Sequence, residues 1–141
     1  MRGGSPLRGS DPPPEQIGSF FLKNRKPPHV LEKLRTVIGQ PLFISSISVA
    51  ELQFGVYNSL YPEKNRISLL EFLAPFQLLD FDDEDAEQFG IIKKSLKDNS
   101  MLIGPFDLLI ASQALTKKLV LVTNNTAEFK RINGLQLEDW K

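Results

Sequence analysis

The stretch Ile103-Gly104-Pro105-Phe106-Asp107-Leu108-Leu109-Ile110-Ala111 constrains this chain more than any other part of it. It puts a carboxylate at the mouth of a helix that is otherwise apolar. After that helix comes Leu119-Val120-Leu121-Val122-Thr123-Asn124-Asn125, a short apolar strand ending in oxygen-bearing side chains. Aspartate avoids an interior unless it is paired, caps a helix or holds a metal. In α/β proteins, ligand sites lie outside the carboxyl ends of parallel strands. Together the two segments suggest an acidic, metal-binding pocket at a sheet edge.

Composition narrows the chemistry. The 141 residues suffice for one domain with a single core. Formal net charge is zero, so no global field draws the chain to nucleic acid or membrane, and any such contact must be local. There is no cysteine, which excludes disulfides and thiolate chemistry and fits a cytoplasmic location. The single histidine, His29, follows Pro27-Pro28 and reads as a surface residue, which argues against a Ser-His-Asp triad or a histidine-rich zinc site. No run approaches the roughly 18–20 apolar residues of a membrane span, so no membrane partner is expected. Residues 1–16 hold three of the nine glycines and four of the ten prolines and have nothing to bury. They read as a disordered or non-native leader, leaving residues 17–141 as the domain.

From Ile17 onward, helices and strands alternate. Helical pieces are expected at Ser19 to Asn24, Val30 to Ile38, Ser48 to Asn58, Pro62 to Ala74, Asp82 to Lys97, Asp107 to Lys118 and Thr126 to Phe129. Strands are expected at Leu42 to Ser46, Phe76 to Phe81, Leu119 to Thr123 and Leu135 to Leu137. Short apolar strands separated by helices imply an α/β fold, with a mostly parallel sheet flanked by helices.

Glu51, Asp107 and the pair Asn124/Asn125 each fall just after a strand or at the start of a helix near one. Hard divalent cations take oxygen ligands and keep several waters, so a few carboxylates suffice. Metal-assisted phosphodiester hydrolysis is the hydrolytic chemistry this composition best supports. Each residue also has a structural reading. Ser48-x-x-Glu51 spells a capping box, and spacing alone favours that role. Asp107 is evenly balanced between a ligand and a first-turn acid favoured by the helix dipole. Asn124-Asn125 fits a turn. Asp80, Asp82, Asp83, Glu84 and Asp85 read as first-turn acids, and Lys93, Lys94 and Lys97 as a solvated face.

Four segments taken jointly are more specific: Ile44 to Leu52, Ile103 to Ala111, Leu121 to Phe129, and Gly134-Leu135 with Glu138-Asp139-Trp140. In order and spacing, over residues 19 to 141, they resemble the VapC family of PIN-domain ribonuclease toxins. The resemblance implies a PIN-like fold and a Mg²⁺- or Mn²⁺-dependent endoribonuclease, inhibited by a VapB-type antitoxin. It also implies a homodimer and RNA substrates, with tRNA a common target of such toxins. By the same resemblance, Glu51 and Asp107 match metal-site acids, Asn125 matches the fourth site position and Thr123 its hydroxyl companion.

One departure stands out. The family begins with an apolar strand ending in Leu-Asp-Thr-Asn, whose Asp is the first metal ligand. Here Pro13-Pro14-Glu15-Gln16 occupies that place, and the nearby carboxylates are Asp11 and Glu15. The expectation is a domain lacking its usual first strand, the product of a truncated or rearranged gene with impaired activity. The alternative is an inactive toxin that binds the antitoxin or a toxin partner. A phosphatase or DNA nuclease on another α/β fold is the most distant reading.

Overall fold

A computed structural model describes residues 18–20 and 41–139. Their element order is β1 (Gly18–Phe20), β2 (Phe43–Ser45), α1 (Ser46–Tyr57), α2 (Pro62–Leu73), β3 (Gln77–Leu79), α3 (Asp83–Asp98), α4 (Pro105–Lys117), β4 (Val120–Val122), α5 (Thr126–Phe129) and β5 (Leu137–Glu138). The five strands form one sheet in the order β3-β2-β1-β4-β5, and every pairing is parallel. The α/β reading, with a parallel sheet flanked by helices, therefore holds.

A parallel sheet needs helices on both faces, and the core shows how they divide. Successive residues of a strand point to opposite faces. Leu121 joins Ile92, Leu96, Leu108, Ala111 and Phe129, drawn mainly from α3, α4 and α5. Val122 joins Ile44, Val56, Leu69 and Phe72, which brings in α1 and α2. The strands β2 and β4 are buried along their whole length, β4 with an unbroken apolar sequence and β2 ending in the buried Ser45. At the edge, β3 exposes Gln77 and Leu78 and buries only Leu79.

The centre of the sheet departs from the sequence reading. Ser19 to Asn24 reads as helical, and the usual first strand is expected to be missing. Instead Gly18–Phe20 is a strand, pairing with β2 through Ser19 and Phe43 and with β4 from Gly18–Val120 to Phe20–Val122. Three residues carry no period that separates helix from strand, and two open edges, on β2 and β4, supply the backbone partners that decide it. The expected helix at Val30 to Ile38, His29, and the leader with Asp11 and Glu15 lie outside the described residues.

Helix starts also shift. The first long helix after β2 begins at Ser46, two residues before the expected start. Ser45 is its N-cap, with the Oγ accepting from the Ile47 N–H at 3.0 Å. Ser48 is thus already inside the helix, which overturns the Ser48–Glu51 capping box. A capping box does occur at α3: Asp82 and Asp85 exchange side-chain-to-backbone bonds of 2.9 Å each. This bears out the structural reading of that acidic run.

The same two acids anchor α4. Lys117, at its C-terminal end, bonds Asp82 at 2.7 Å and the fully buried Asp85 at 2.9 Å. Burial works against the Asp82 charge, but the Lys117 ammonium and the Asp85 amide overcome it and bring its pKa down to about 2. Burial raises Asp85 above the ordinary carboxylate value. Burial opposes the Lys117 charge too, yet its two carboxylate partners hold its pKa above the usual lysine value.

Two predictions follow from these contacts. Lys117→Met leaves Asp85 buried without its cation and should cost about 3 kcal/mol in urea unfolding at neutral pH. In the native protein, the lysine's contribution is complete below its unfolded value of 10.5 and is lost as pH rises through the higher folded value. Asp82 has the opposite sense: its contribution is present above 3.8 and is lost as pH falls toward about 2, while raised Asp85 offsets part of that loss. Separately, Ser45→Ala should cost about 1 kcal/mol as a lost cap. Ser48→Ala removes a buried hydroxyl that has no hydrogen-bond partner among the described residues and should be neutral or stabilising in the same assay.

Candidate metal centre

The strand order reverses direction at β1. From there the chain steps outward through β2 and β3, then returns to lay β4 on the other side of β1 and β5 beyond it. The crevice at the carboxyl ends of β1 and β4 is the switch point where open α/β sheets bind ligands. Connectivity brings the sequence-predicted residues to that edge. Helix α1 leaves the carboxyl end of β2. Helix α4 ends two residues before β4 begins, so its N-terminus lies at the same edge. Thr123 and Asn125 follow β4 directly.

Glu51 lies in the second turn of α1, half-buried, with its Oε1 enclosed by protein. It does not serve as the capping-box acid of this helix. Helix α1 packs against α4, which carries Asp107. Pro105 takes the first helical position, where its missing N–H costs nothing. Two residues on, Asp107 is 6% exposed, in the turn where the helix dipole favours negative charge. Gly104 caps this helix without a side chain, and a Cβ on it would sit 3.8 Å from Asp107 Oδ2.

After β4 the chain turns tightly. Buried Thr123 accepts through Oγ1 from the Asn125 N–H at 3.0 Å, so its hydroxyl shapes the loop. The Asn125 amide nitrogen donates to Glu128 Oε1 at 2.8 Å. The other oxygen of that carboxylate, Oε2, accepts from the Gly104 N–H at 3.2 Å. Sequence reasoning missed Glu128. Its one sequence signal was an acid three residues after Asn125, where helical residues become neighbours. The lysines of α3 keep to their solvated face: Lys94 pairs with Asp98 at 2.8 Å, and Lys93 sits 5.5 Å above the Phe89 ring.

The donor set is all oxygen, with carboxylates on two helices that pack together. That fits a hard divalent cation, which binds through one or two carboxylates and keeps several waters. Among the described residues no three acidic or histidine groups converge as a complete metal cluster. The chain after Phe20 continues Phe21-Leu22-Lys23-Asn24, with no carboxylate.

Known proteins share this frame. The model of the PIN domain matches residues 19–135. The tRNA(fMet)-specific endonuclease VapC of Salmonella typhimurium is 39% identical over 121 residues, covering 86% of this chain and 90% of the relative. Ribonuclease VapC2 of Haemophilus influenzae is 38% identical, covering 86% and 91%. Among solved structures, VapBC2 from Rickettsia felis bound to a promoter DNA fragment superposes with a TM-score of 0.83 at 36% identity. That match covers 89% of this chain and 99% of the other. VapBC from Salmonella typhimurium, also bound to DNA, gives 0.81 at 34%, covering 89% and 99%. With the sheet order, the helix starts and these likenesses in agreement, the chain belongs to the PIN-domain family, among the VapC-type ribonuclease toxins.

Proposed function

We propose that this chain is a Mg²⁺- or Mn²⁺-dependent endoribonuclease, the toxin of a VapB–VapC-type pair, acting on RNA in the cytoplasm. The observation that carries the reading is the placing of Glu51 and Asp107 on packed helices at the switch-point edge of a PIN sheet. Tranfer RNA is the proposed target class, in line with the name of the Salmonella relative. A VapB-type antitoxin is the proposed inhibitor, in line with the VapBC complexes among the structural neighbours.

Glu51 and Asp107 would hold the ion. Bound there, the ion supplies Lewis-acid polarisation of a phosphate oxygen and a water acidified enough to attack phosphorus. The residues around it prepare the site. Burial of Asp107 keeps its carboxylate fixed and away from bulk water, where a placed charge acts more strongly. The N-terminus of α4 adds its positive dipole end, which favours the anionic phosphate as well as the acid. Thr123 fixes the backbone of Asn125, whose side chain has a supporting role.

Partner binding has its own support. Phe54, Tyr57, Leu60 and Tyr61 are each at least two-thirds exposed at the end of α1 and in the turn into α2. Clustered apolar surface of this kind marks interaction sites, and an antitoxin or a second copy in a homodimer would cover it. A second reading, an inactive toxin that keeps its partner surface, is favoured by the lack of a third converging acid among the described residues.

Cleavage of a labelled RNA pool by the purified chain, with Mg²⁺ and with EDTA, tests the proposal. Cutting should require the metal and fall at least about 100-fold in Asp107→Asn. A folded chain that cuts nothing but binds its antitoxin would replace the enzyme with the second reading.

A further inference from the structure

We propose that Phe106 and Arg131 hold the RNA strand beside the metal centre. Phe106 stacks on an unpaired nucleobase, and Arg131 takes the phosphate of a neighbouring nucleotide. This rests on the reading of the chain as an RNA-cutting enzyme. With a formal net charge of zero, the chain has no global field to hold an RNA, so its grip must come from local groups near the acids.

Phe106 is the second residue of α4 and directly precedes Asp107, so the two side chains leave the same turn. Their surroundings are opposite: Asp107 is buried, whereas Phe106 is 53% exposed. The segment leading to the helix exposes Met101 and Leu102 as well, while Ile103 after them is buried in the core. A ring at the mouth of an acidic site offers its face to a base that has left its own stack, and stacking of this kind tolerates every base. Phe106 therefore selects for an unpaired nucleotide and not for a particular sequence.

Arg131 gives this patch its charge. It is exposed, and its Nη1 donates to the Leu102 carbonyl at 2.9 Å and, at the longer 3.5 Å, to that of Met101. Among the described residues no carboxylate pairs with it. A guanidinium carries five N–H donors, so Nε and Nη2 keep three in a planar fork that matches a phosphate bidentately. The loop that orients it is itself fixed. The Ser100 and Met101 N–H groups donate to the Lys97 and Leu96 carbonyls at 3.1 and 2.8 Å, closing the end of α3. Ile132, next to Arg131, shares a buried cluster with Ile103. A ring and a cation mounted on so firm a loop lose little freedom when a ligand arrives. An apolar patch alone would suit a protein, and the unneutralised fork favours an RNA strand.

Fluorescence anisotropy on the full chain in EDTA, with a labelled single-stranded RNA oligonucleotide and with its duplex, tests the proposal. Cleavage kinetics in Mg²⁺ and sedimentation of each variant accompany it. Phe106→Ala should weaken single-strand binding about 5- to 100-fold and leave duplex binding unchanged, with the loss in KM and not in kcat. Phe106→Trp should bind like the parent chain, and Phe106→Leu, apolar but without a ring, like Phe106→Ala. Arg131→Gln should reduce the slope of log affinity against log salt by about 0.7, and Arg131→Lys should keep it. A residue that only props the loop would leave that slope unchanged.

Unchanged single-strand affinity in Phe106→Ala, or an equal loss for the duplex, overturns the stacking role. An unchanged salt slope in Arg131→Gln overturns the phosphate role. If Phe106→Ala alters sedimentation but not RNA affinity, the patch is an interface between protein chains and the proposal falls. A chain that binds the single strand in the expected pattern but cuts nothing with Mg²⁺ refutes the nuclease reading and leaves the RNA contacts standing. One that cuts with the metal but is indifferent to both substitutions does the reverse.

Discussion

Everything in this molecule follows from a sheet whose strands all run the same way. A parallel sheet cannot be built from hairpins, so each strand must be followed by a crossover, and the helices of those crossovers cover both faces. Leu121 and Val122, adjacent in β4, serve opposite faces of the core. Parallel crossovers also sort the helix ends. Helices α1 and α4 open at the carboxyl edge of the sheet, and each brings the positive end of its dipole there. Glu51 and Asp107, 56 positions apart, are carried to one edge without any contact in the sequence to announce it.

That edge is not the only place where the fold concentrates acid, and the contrast is instructive. Asp82 and Asp85 also open a helix. They are bonded to each other's backbone and to Lys117, so their charge is neutralised within the protein. Asp107 sits in an equivalent first turn, beneath a glycine cap that has no side chain to offer. The first of these turns joins two helices through a lysine that arrives from 32 residues away.

Much of the fold was legible in particular residues. Val120 to Val122 reads as a doubly buried strand because it is unbroken and apolar, and Pro62 marks a helix start because proline suits the first helical position; the helix expected from Asp107 begins two residues earlier, at Pro105. Glu51, Asp107, Thr123 and Asn125 could be singled out because each follows a strand or opens a helix. The start of α1 was misread. Ser45, Ser46 and Ser48 are all plausible caps, and only the length of β2 as paired with β3 selects Ser45. Glu128 passed unnoticed because its value lies in a bond to Gly104, far off in sequence.

By itself the sequence determined the alternation of strands and helices, the oxygen-only chemistry open to a chain without cysteine, and which carboxylates stand at helix mouths. These are short-range properties, set by side-chain period, by backbone sterics and by the residues that begin and end a helix. The tertiary structure alone decided that Gly18–Phe20 is the central strand, that Lys117 takes up Asp82 and Asp85, and that Glu128 joins Asn125 to Gly104. Each of these depends on a partner brought from elsewhere in the chain. A three-residue strand has no preference strong enough to form alone, and a carboxylate's role is fixed by the donor or cation that the fold sets beside it.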